Sequence, residues 1–229
     1  MKKYSFPANL AFFLFFLPVF VFSQQIHDAQ QRLRAGIDHF SRGQWPEAVF
    51  ELRMAQGQAP NQEIRAEALF WTAITHLYSG DYAQALLNMD ALEETHPQNR
   101  RIRELPYHRG RTLYYLGRFD EAIVLFTGYA NSLSPGPGMV LSPVDRNRMA
   151  STYFWIAECH FAMGQLTEAE IVFIHVIEEY PNTPKHKAAI YRLALLREKI
   201  MNASALERLH ALRASAVELE RAMLQRGAR

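Results

Sequence analysis

The amino-acid sequence predicts an all-α solenoid, in which helix–turn–helix repeats stack on one another and end in a C-terminal capping helix. Three observations support this prediction: a glycine-centred phrase that occurs four times, helical apolar periodicity ahead of each phrase, and a proline near the end of each phrase. Self-similarity with a period of about 20–50 residues is typical of repeat architectures. We therefore expect one helical hairpin for each phrase.

The repeated phrase begins at a glycine, with a bulky residue two positions later and an alanine five positions later. The four glycines are Gly43, Gly80, Gly117 and Gly164, followed by Trp45/Ala48, Tyr82/Ala85, Phe119/Ala122 and Leu166/Ala169. Glycine readily takes the positive φ that a tight turn needs, and alanine lets two helices approach closely. A proline then ends the second helix of each phrase, at Pro60, Pro97, Pro135 and Pro181.

These phrases resemble the tetratricopeptide repeat, whose helix–turn–helix units keep bulky, small, aromatic and proline residues at fixed places. The resemblance implies that the units stack into a right-handed superhelix. The fourth unit is the closest match, through Tyr153, Ala157, Phe161, Gly164, Ala169, Phe173, Val176 and Pro181. The third unit departs most, with Pro106 near its start and Tyr129 where a small residue is usual. We expect repeats at about residues 29–62, 66–99, 103–135 and 150–183, with a partial unit at 184–202, so that the solenoid spans residues 24–202.

Two segments interrupt or follow the predicted repeats. Residues 131–146, "NSLSPGPGMVLSPVDR", are rich in proline and glycine, and we expect a non-helical loop there. Residues 203–229 should form a separate helix, capped at its start by Asn202 or Ser204. Its apolar stripe should cover the open end of the solenoid: Leu206, Leu209, Leu212, Val217, Leu219 and Met223.

The N-terminal 23 residues have the pattern of a secretory signal peptide. Lys2 and Lys3 precede an apolar run from Leu10 to Phe22, which is too short for a helix that spans a bilayer, since that needs about 20 residues. Val21 and Ser23 suit a cleavage site, so we expect a cut after Ser23 and an exported, periplasmic protein. The alternative is an uncleaved anchor, the only case in which we expect membrane attachment. The residue directly after Ser23 is Gln24 and not a cysteine, so no lipid anchor is expected.

The charge balance argues against nucleic acid as a partner. The chain has 25 Lys and Arg residues and 23 Asp and Glu residues, so the two counts become equal once Lys2 and Lys3 are removed with the signal. Binding to a phosphate backbone depends on accumulated positive charge, which such a chain lacks. Cys159 is the only cysteine, and the apolar helix around it predicts a buried side chain rather than a reactive thiol.

Catalytic and cofactor-binding signatures are missing from the sequence. It contains no GxSxG, GxxxxGK[ST], GxGxxG, HExxH or CxxC motif. The nine histidines, His160 and His175 among them, are scattered without a third ligand at matching spacing, so we interpret them as structural. We expect no catalytic residue, no metal and no cofactor, and therefore a protein that is not an enzyme.

The resemblance to tetratricopeptide repeats implies a concave surface formed by the first helix of each unit. Carried onto this sequence, its predicted partner-binding residues are Tyr78, Tyr107, Arg111, Tyr115, Phe154 and Glu158. Aromatic side chains with a few charges suit an extended protein segment or a partner helix. We expect Tyr107→Ala or Arg111→Glu to weaken binding with little effect on Tm. The alternative is that several of these side chains pack between repeats.

The segment "NRRIRELPYHRGR" is rich in arginine, with only Glu104 to oppose it locally. Two interpretations remain open. The arginines Arg100, Arg101, Arg103 and Arg109 could bind an anionic partner. They could equally form a surface network with Asp90, Glu93, Glu94, Asp120 and Glu121.

The fourth unit and the following "YPNTPKHKAAIYRLA" resemble repeats of bacterial periplasmic envelope proteins, the Tol–Pal-associated coordinator and the outer-membrane β-barrel assembly lipoprotein. This resemblance implies an exported, non-catalytic adaptor that holds a protein segment during envelope assembly. Two alternatives are a peptidoglycan-associated module that uses the arginine patch, and a structural subunit that self-associates through its C-terminal helix. In the last case a cut after residue 202 would convert an oligomer into a monomer.

Overall fold

The computed structural model describes residues 8–136 and 138–227, with side chains described for 23–136, 138–215 and 218. The described residues form nine α-helices and one 3₁₀ helix, and the predicted all-α helix–turn–helix architecture is confirmed. The helices are α1 (Ala8–Ser41), α2 (Trp45–Gln58), α3 (Gln62–Ser79), α4 (Tyr82–Thr95), the 3₁₀ helix (Arg100–Glu104), α5 (Leu105–Tyr115), α6 (Phe119–Leu133), α7 (Pro143–Ala162), α8 (Leu166–Glu179) and α9 (Pro184–Gly227). They fall into two compact units, unit 1 (Met1–Leu125) and unit 2 (Phe126–Arg229).

Unit 1 is organised around α3, which packs against both α2 and α4 and also contacts α1 and α5. Its buried side chains include Phe70, Ile74 and Leu77, which join Met89 and Leu92 of α4 in one apolar core. Asn61 begins α3, because its side chain accepts a hydrogen bond from the backbone N–H of Ile64. The helix is buried along most of its length because it has neighbours on both sides.

Unit 2 contains the end of α6 from Phe126 onward, the α7–α8 hairpin and α9. Helix α9 packs on both helices of the hairpin. Its core contains Phe154, Phe173 and Val176 together with Ala189 and Leu196 of α9, all of them buried.

The proline- and glycine-rich loop is shorter than expected. We predicted a loop over 131–146, but α6 continues to Leu133 and α7 begins at Pro143. Proline is well tolerated in the first turn of a helix, where its missing N–H costs no hydrogen bond. Ser142 completes the cap, because its Oγ accepts a hydrogen bond from the backbone N–H of Asp145 at 3.1 Å.

The four turn glycines behave as predicted. Their φ angles are positive, between 73° and 87°, a conformation that is costly for other residues. In three of the four repeats a histidine side chain spans the turn, from four residues before the glycine to one residue after it. His39 Nδ1 lies 2.7 Å from Gln44 Oε1, His160 Nδ1 lies 2.6 Å from Gln165 Oε1, and His76 Nδ1 lies 3.6 Å from Asp81 Oδ2. Three of the histidines that we interpreted as structural therefore have a specific role.

The predicted separate capping helix does not form. Instead α9 runs without a break from Pro184 to Gly227, and Leu206, Leu209 and Leu212 are exposed rather than packed on the repeats. In unit 1, Arg101 contacts the Phe70 ring and lies sixteen residues before the turn glycine Gly117. In unit 2, Lys185 makes the equivalent contact with the Phe154 ring. The same offset from Lys185 leads to Met201, so the turn position holds no glycine and the helix continues. Val217, Leu219 and Met223 have side chains outside the described set.

The expected signal peptide is not tested by the fold. The expected cut after Ser23 falls within α1, and residues 1–7 lie outside the described part of the chain. Cleavage therefore stays a prediction. Within the described residues, no helix combines the length and hydropathy of a membrane span. Cys159 is buried, as predicted.

A small residue lies seven positions before each turn glycine and is buried every time: Gly36, Ala73, Gly110 and Ala157. At Gly36 the first helix of its repeat closely approaches the second. A Cβ atom on Gly36 would lie 2.6 Å from Leu52 Cγ and 3.2 Å from the backbone nitrogen of Leu52. Close packing of the first hairpin therefore requires glycine at position 36.

We expect Gly36→Ala to lower the free energy of unfolding by about 1–3 kcal/mol, because the added methyl group overpacks the α1–α2 interface. Urea denaturation followed by circular dichroism measures the change. Gly128→Ala is the matched control: Gly128 lies within α6, and a Cβ there would meet nothing within 4 Å. That control should stabilise the protein by about 0.5–1 kcal/mol. Equal stability of the two variants would contradict the close approach.

Candidate partner-binding site

Two tyrosines in unit 1 occupy the same place in successive repeats. Tyr78 and Tyr115 each lie two residues before a turn glycine and are 49% and 44% exposed. Large aromatic side chains that are half exposed and held rigidly are common at protein interfaces, since they bury much area at little cost in conformational entropy.

A buried arginine holds both phenol groups. Arg111 is 8% exposed, and its Nη1 donates a hydrogen bond to Tyr78 Oη at 3.0 Å. Its guanidinium carbon lies 4.8 Å from the centre of the Tyr78 ring, and the side chain also hydrogen-bonds to Tyr115. Burial by itself lowers the pKa of Arg111, but the phenol groups of Tyr107 and Tyr78 raise it above its ordinary value. The guanidinium is thus a permanent cation beneath the two tyrosines.

Neighbouring rings fix the orientation of the two tyrosines. Tyr115 stacks on Tyr82, with ring centres 5.3 Å apart and planes 5° from parallel. Tyr78 meets Phe40 edge to face at 5.3 Å and lies 6.3 Å from Trp45. We call Tyr78, Arg111, Tyr115 and the supporting Tyr82 and Phe40 the tyrosine platform.

The predicted site residues divide between the two units. Tyr78, Tyr107, Arg111 and Tyr115 come together in unit 1, whereas Phe154 and Glu158 belong to unit 2 and are 7% and 6% exposed. There Arg192 of α9 donates hydrogen bonds to both oxygens of the Glu158 carboxylate, at 2.5 and 2.6 Å. Lys185 of α9 lies 4.2 Å from the centre of the Phe154 ring. Phe154 and Glu158 are therefore covered by α9, and we withdraw them as contact residues.

Burial also changes the expectation for Arg111. We predicted that Arg111→Glu would weaken binding with little effect on Tm, but Arg111 is buried and bonded to Tyr78. A carboxylate at that place would lose solvation without gaining a cationic partner. The arginine supports the platform from below, and Tyr78 and Tyr115 are the groups that a partner can reach.

The arginine-rich segment forms a network with carboxylates. Arg101 Nε and Nη2 each donate to the Glu67 carboxylate at 2.9 Å, and Arg100 Nη2 donates to Glu67 Oε1 at 2.8 Å. Arg109 donates to Asp90 and Glu93, at 2.5 and 2.7 Å. Arg100, Arg101 and Arg109 therefore form a network with carboxylates, as the second interpretation expected. Glu67 was not among the partners that we expected. Arg103 is exposed and has no ion-pair partner in the described part of the chain.

A repeated cation–aromatic contact was not predicted from the sequence. Arg101 lies 4.6 Å from the centre of the Phe70 ring and 5.9 Å from that of Trp71, one repeat earlier. Lys185 makes the same pair of contacts with Phe154 and Trp155, at 4.2 and 5.5 Å. Both aromatic pairs read Phe-Trp, ten and nine residues before a turn glycine, and this shared register was the available sequence signal.

The histidines do not come together as metal ligands in the described part of the chain. In the part of the chain that the structure describes, no group of three or more histidine, cysteine, aspartate or glutamate side chains is placed to hold a metal ion. His175, which we considered with His160 as a ligand, instead packs edge to face on Tyr153 with ring centres 4.6 Å apart.

The Glu67 network predicts acid sensitivity. Burial by itself raises the pKa of Glu67, but hydrogen bonds and charge from Arg101 and Arg100 lower it below its ordinary value of 4.5. A carboxyl group with a lower pKa in the folded than in the unfolded state stabilises the fold above the unfolded pKa, and this contribution is lost as pH falls below it. We expect Glu67→Gln to lose less stability than the wild type between about pH 5 and pH 3, measured as urea midpoints. Parallel pH profiles would contradict this assignment.

Comparison with known proteins supports the repeat assignment. Residues 151–183 match the family model described as tetratricopeptide repeat. A putative kinesin light chain of Podosopora anserina with nearly identical TPR-like repeats has a TM-score of 0.57 and 18% identity, covering 85% of this chain and 98% of that chain. The MamA RS-1 ArsTM double mutant has a TM-score of 0.51 and 16% identity, covering 78% of this chain and 97% of that chain. A comparison with curated proteins gives no significant match.

The two solved structures are similar to this chain in fold, and the family match falls on the α7–α8 hairpin, which sequence reasoning identified as the closest repeat. The chain is therefore a helical repeat protein with the fold of tetratricopeptide-repeat proteins, and its residues 151–183 form one such repeat.

Proposed function

We propose that this protein is an exported, non-catalytic adaptor that binds a protein segment at the tyrosine platform. The observation that supports this proposal most directly is the buried Arg111 cation, which hydrogen-bonds to two half-exposed tyrosines. The repeat fold agrees with it, because tetratricopeptide repeats generally serve as protein-interaction modules.

The chemistry of the platform suggests what it recognises. Arg111 can only donate hydrogen bonds, so the phenol oxygens of Tyr78 and Tyr115 act as acceptors toward it. Their own O–H groups are left to donate outward. A peptide supplies acceptors in its backbone carbonyls and side-chain carboxylates, and apolar side chains to lie against the rings. We therefore favour an extended peptide segment as the ligand.

Export and a role in envelope assembly are further parts of the proposal. They are supported by the basic and apolar N-terminal residues and by the resemblance of the fourth unit to repeats of periplasmic envelope proteins. The alternative of a glycan-binding arginine patch is weakened, because Arg100, Arg101 and Arg109 are neutralised by carboxylates within the protein.

Export is tested by N-terminal sequencing of the protein recovered from its host. We expect the sequence to begin at Gln24, since the signal-like segment ends at Ser23. A protein that still begins at Met1 would contradict a cleaved signal peptide.

Peptide binding is tested with a photoreactive phenylalanine analogue introduced at Tyr115 of the full chain in living cells. We expect crosslinks to a small, reproducible set of envelope proteins. With a purified member of that set, Tyr115→Ala should weaken binding at least tenfold, and the affinity should change little with salt because the contact is mainly aromatic.

Tyr191 supplies the matched control, because it is a tyrosine on α9 that is 64% exposed and lies outside the platform. The analogue at position 191 should not crosslink the same proteins, and Tyr191→Ala should leave the affinity unchanged. Crosslinking of the same set from both positions, or unchanged binding by Tyr115→Ala, would rule out the platform as the binding site.

A further inference from the structure

Unit 1 has a second surface, whose lining includes no residue of the tyrosine platform. Helices α4 and α6 border an open groove of about 460 Å³, whose apolar lining consists of Leu86, Leu113, Val124 and Leu125. Val124 is 69% exposed and Leu87, beside Leu86, is 58% exposed. Leu87 and Val124 each lie seven residues after a turn glycine. The residues at that position in the other two repeats, Phe50 in α2 and Ile171 in α8, are also exposed. We call the cavity between α4 and α6 the outer groove.

The outer groove lies in acidic surroundings. Helices α4 and α6 contain Asp90, Glu93, Glu94, Asp120 and Glu121 and no lysine or arginine. The two arginines in the groove are engaged: Arg109 with Asp90 and Glu93, and Arg118 with Glu121. The lining itself is balanced, with Asp90 and Glu121 against Arg109 and Arg118, and the excess of acid comes from Glu93, Glu94 and Asp120 on the two bordering helices. A ligand with apolar anchors and basic flanks would therefore match the groove and its borders better than an acidic one.

The chain itself contains a segment with these properties. Between residues 197 and 215 of α9 every side chain is exposed except the half-buried Ile200. Leu206, Leu209 and Leu212 are 55%, 43% and 68% exposed and follow one another at three-residue spacing along one side of the helix. A helix gains most of its stability from packing an apolar face, yet beyond Ile200, which packs on the core of unit 2, residues 201–215 have no such packing on the described residues.

The charge of this segment is opposite to that of the groove. Residues 197–215 contain four basic residues and two acidic ones: Arg197, Lys199, Arg208 and Arg213 against Glu198 and Glu207. Arg197 is paired with Glu170 of α8 at 2.8 Å, so Lys199, Arg208 and Arg213 carry the remaining positive charge. Two such helices side by side would bring like charges together, whereas the acidic helices that border the groove would attract the basic helix. Charge thus favours a contact between helix and groove over a contact between two helices.

We propose that residues 197–215 of one copy bind in the outer groove of a second copy, with Leu209 as the central anchor. The contact joins two different surfaces, so each molecule keeps one surface for a further neighbour and assembly continues head to tail. This inference does not depend on the tyrosine platform, and either proposal can fail without the other.

The test is sedimentation velocity of the full chain between about 1 and 100 µM, a range that covers weak to moderate protein association. We expect association that grows with concentration and weakens as salt rises, because part of the attraction is between charges. Val124→Arg in the groove and Leu209→Arg in the helix should each weaken association at least tenfold. Val140→Arg is the control, since Val140 is a 90% exposed valine in the loop before α7, and it should behave as the wild type.

A mixture of the two variants distinguishes this arrangement from a symmetric one. The Val124→Arg chain keeps an intact helix and the Leu209→Arg chain keeps an intact groove, so together they should form a one-to-one dimer and nothing larger. Circular dichroism melts of both variants should match the wild type, because both positions are exposed.

Three results would overturn the proposal. One is a wild-type chain that stays monomeric over the whole concentration range. Another is loss of association in Leu209→Arg but not in Val124→Arg, which would mean that the helix pairs with another helix. The third is an equimolar mixture of the two variants that remains monomeric.

Discussion

The close approach of the two helices in each repeat is the constraint on which the other features depend. It requires a small residue on the first helix, as at Gly36, where a Cβ would collide with Leu52. It also requires a turn that reverses the chain within a few residues, which the positive φ of each turn glycine provides. Once these two conditions are met, the aromatic residues next to the turn must lie together. That proximity places Tyr78 and Tyr115 over Arg111 in successive repeats.

The repeat architecture could be predicted from the sequence because its determinants are local. Each turn glycine, and the alanine five residues later, acts within its own hairpin, and these residues stand at a fixed spacing in the chain. The end of the array was harder to predict. The helix start expected at Asn202 or Ser204 depended on a turn, yet Met201 stands where a glycine is needed and α9 continues. A good capping residue cannot begin a new helix inside one that has not ended.

The candidate site was predicted only in part, because accessibility depends on contacts between distant residues. Tyr78 and Tyr115 are exposed as expected, whereas Glu158 is covered by Arg192, which lies 34 residues further along the chain. The same limit applies to the arginine-rich segment. Its main partner, Glu67, lies 33 and 34 residues before Arg100 and Arg101, and local sequence gives no sign of that pairing. Residues that look available on one helix are thus paired by the next repeat.

The cation–aromatic contacts have a consequence for synthesis, since the chain is made from its N-terminus. Phe70 and Trp71 receive their cation from Arg101, and Phe154 and Trp155 receive theirs from Lys185, in each case about thirty residues later. An aromatic pair therefore lacks its cation until the ribosome has added most of another hairpin. The time that each hairpin spends incompletely covered is set by the rate of translation as well as by the rate of folding.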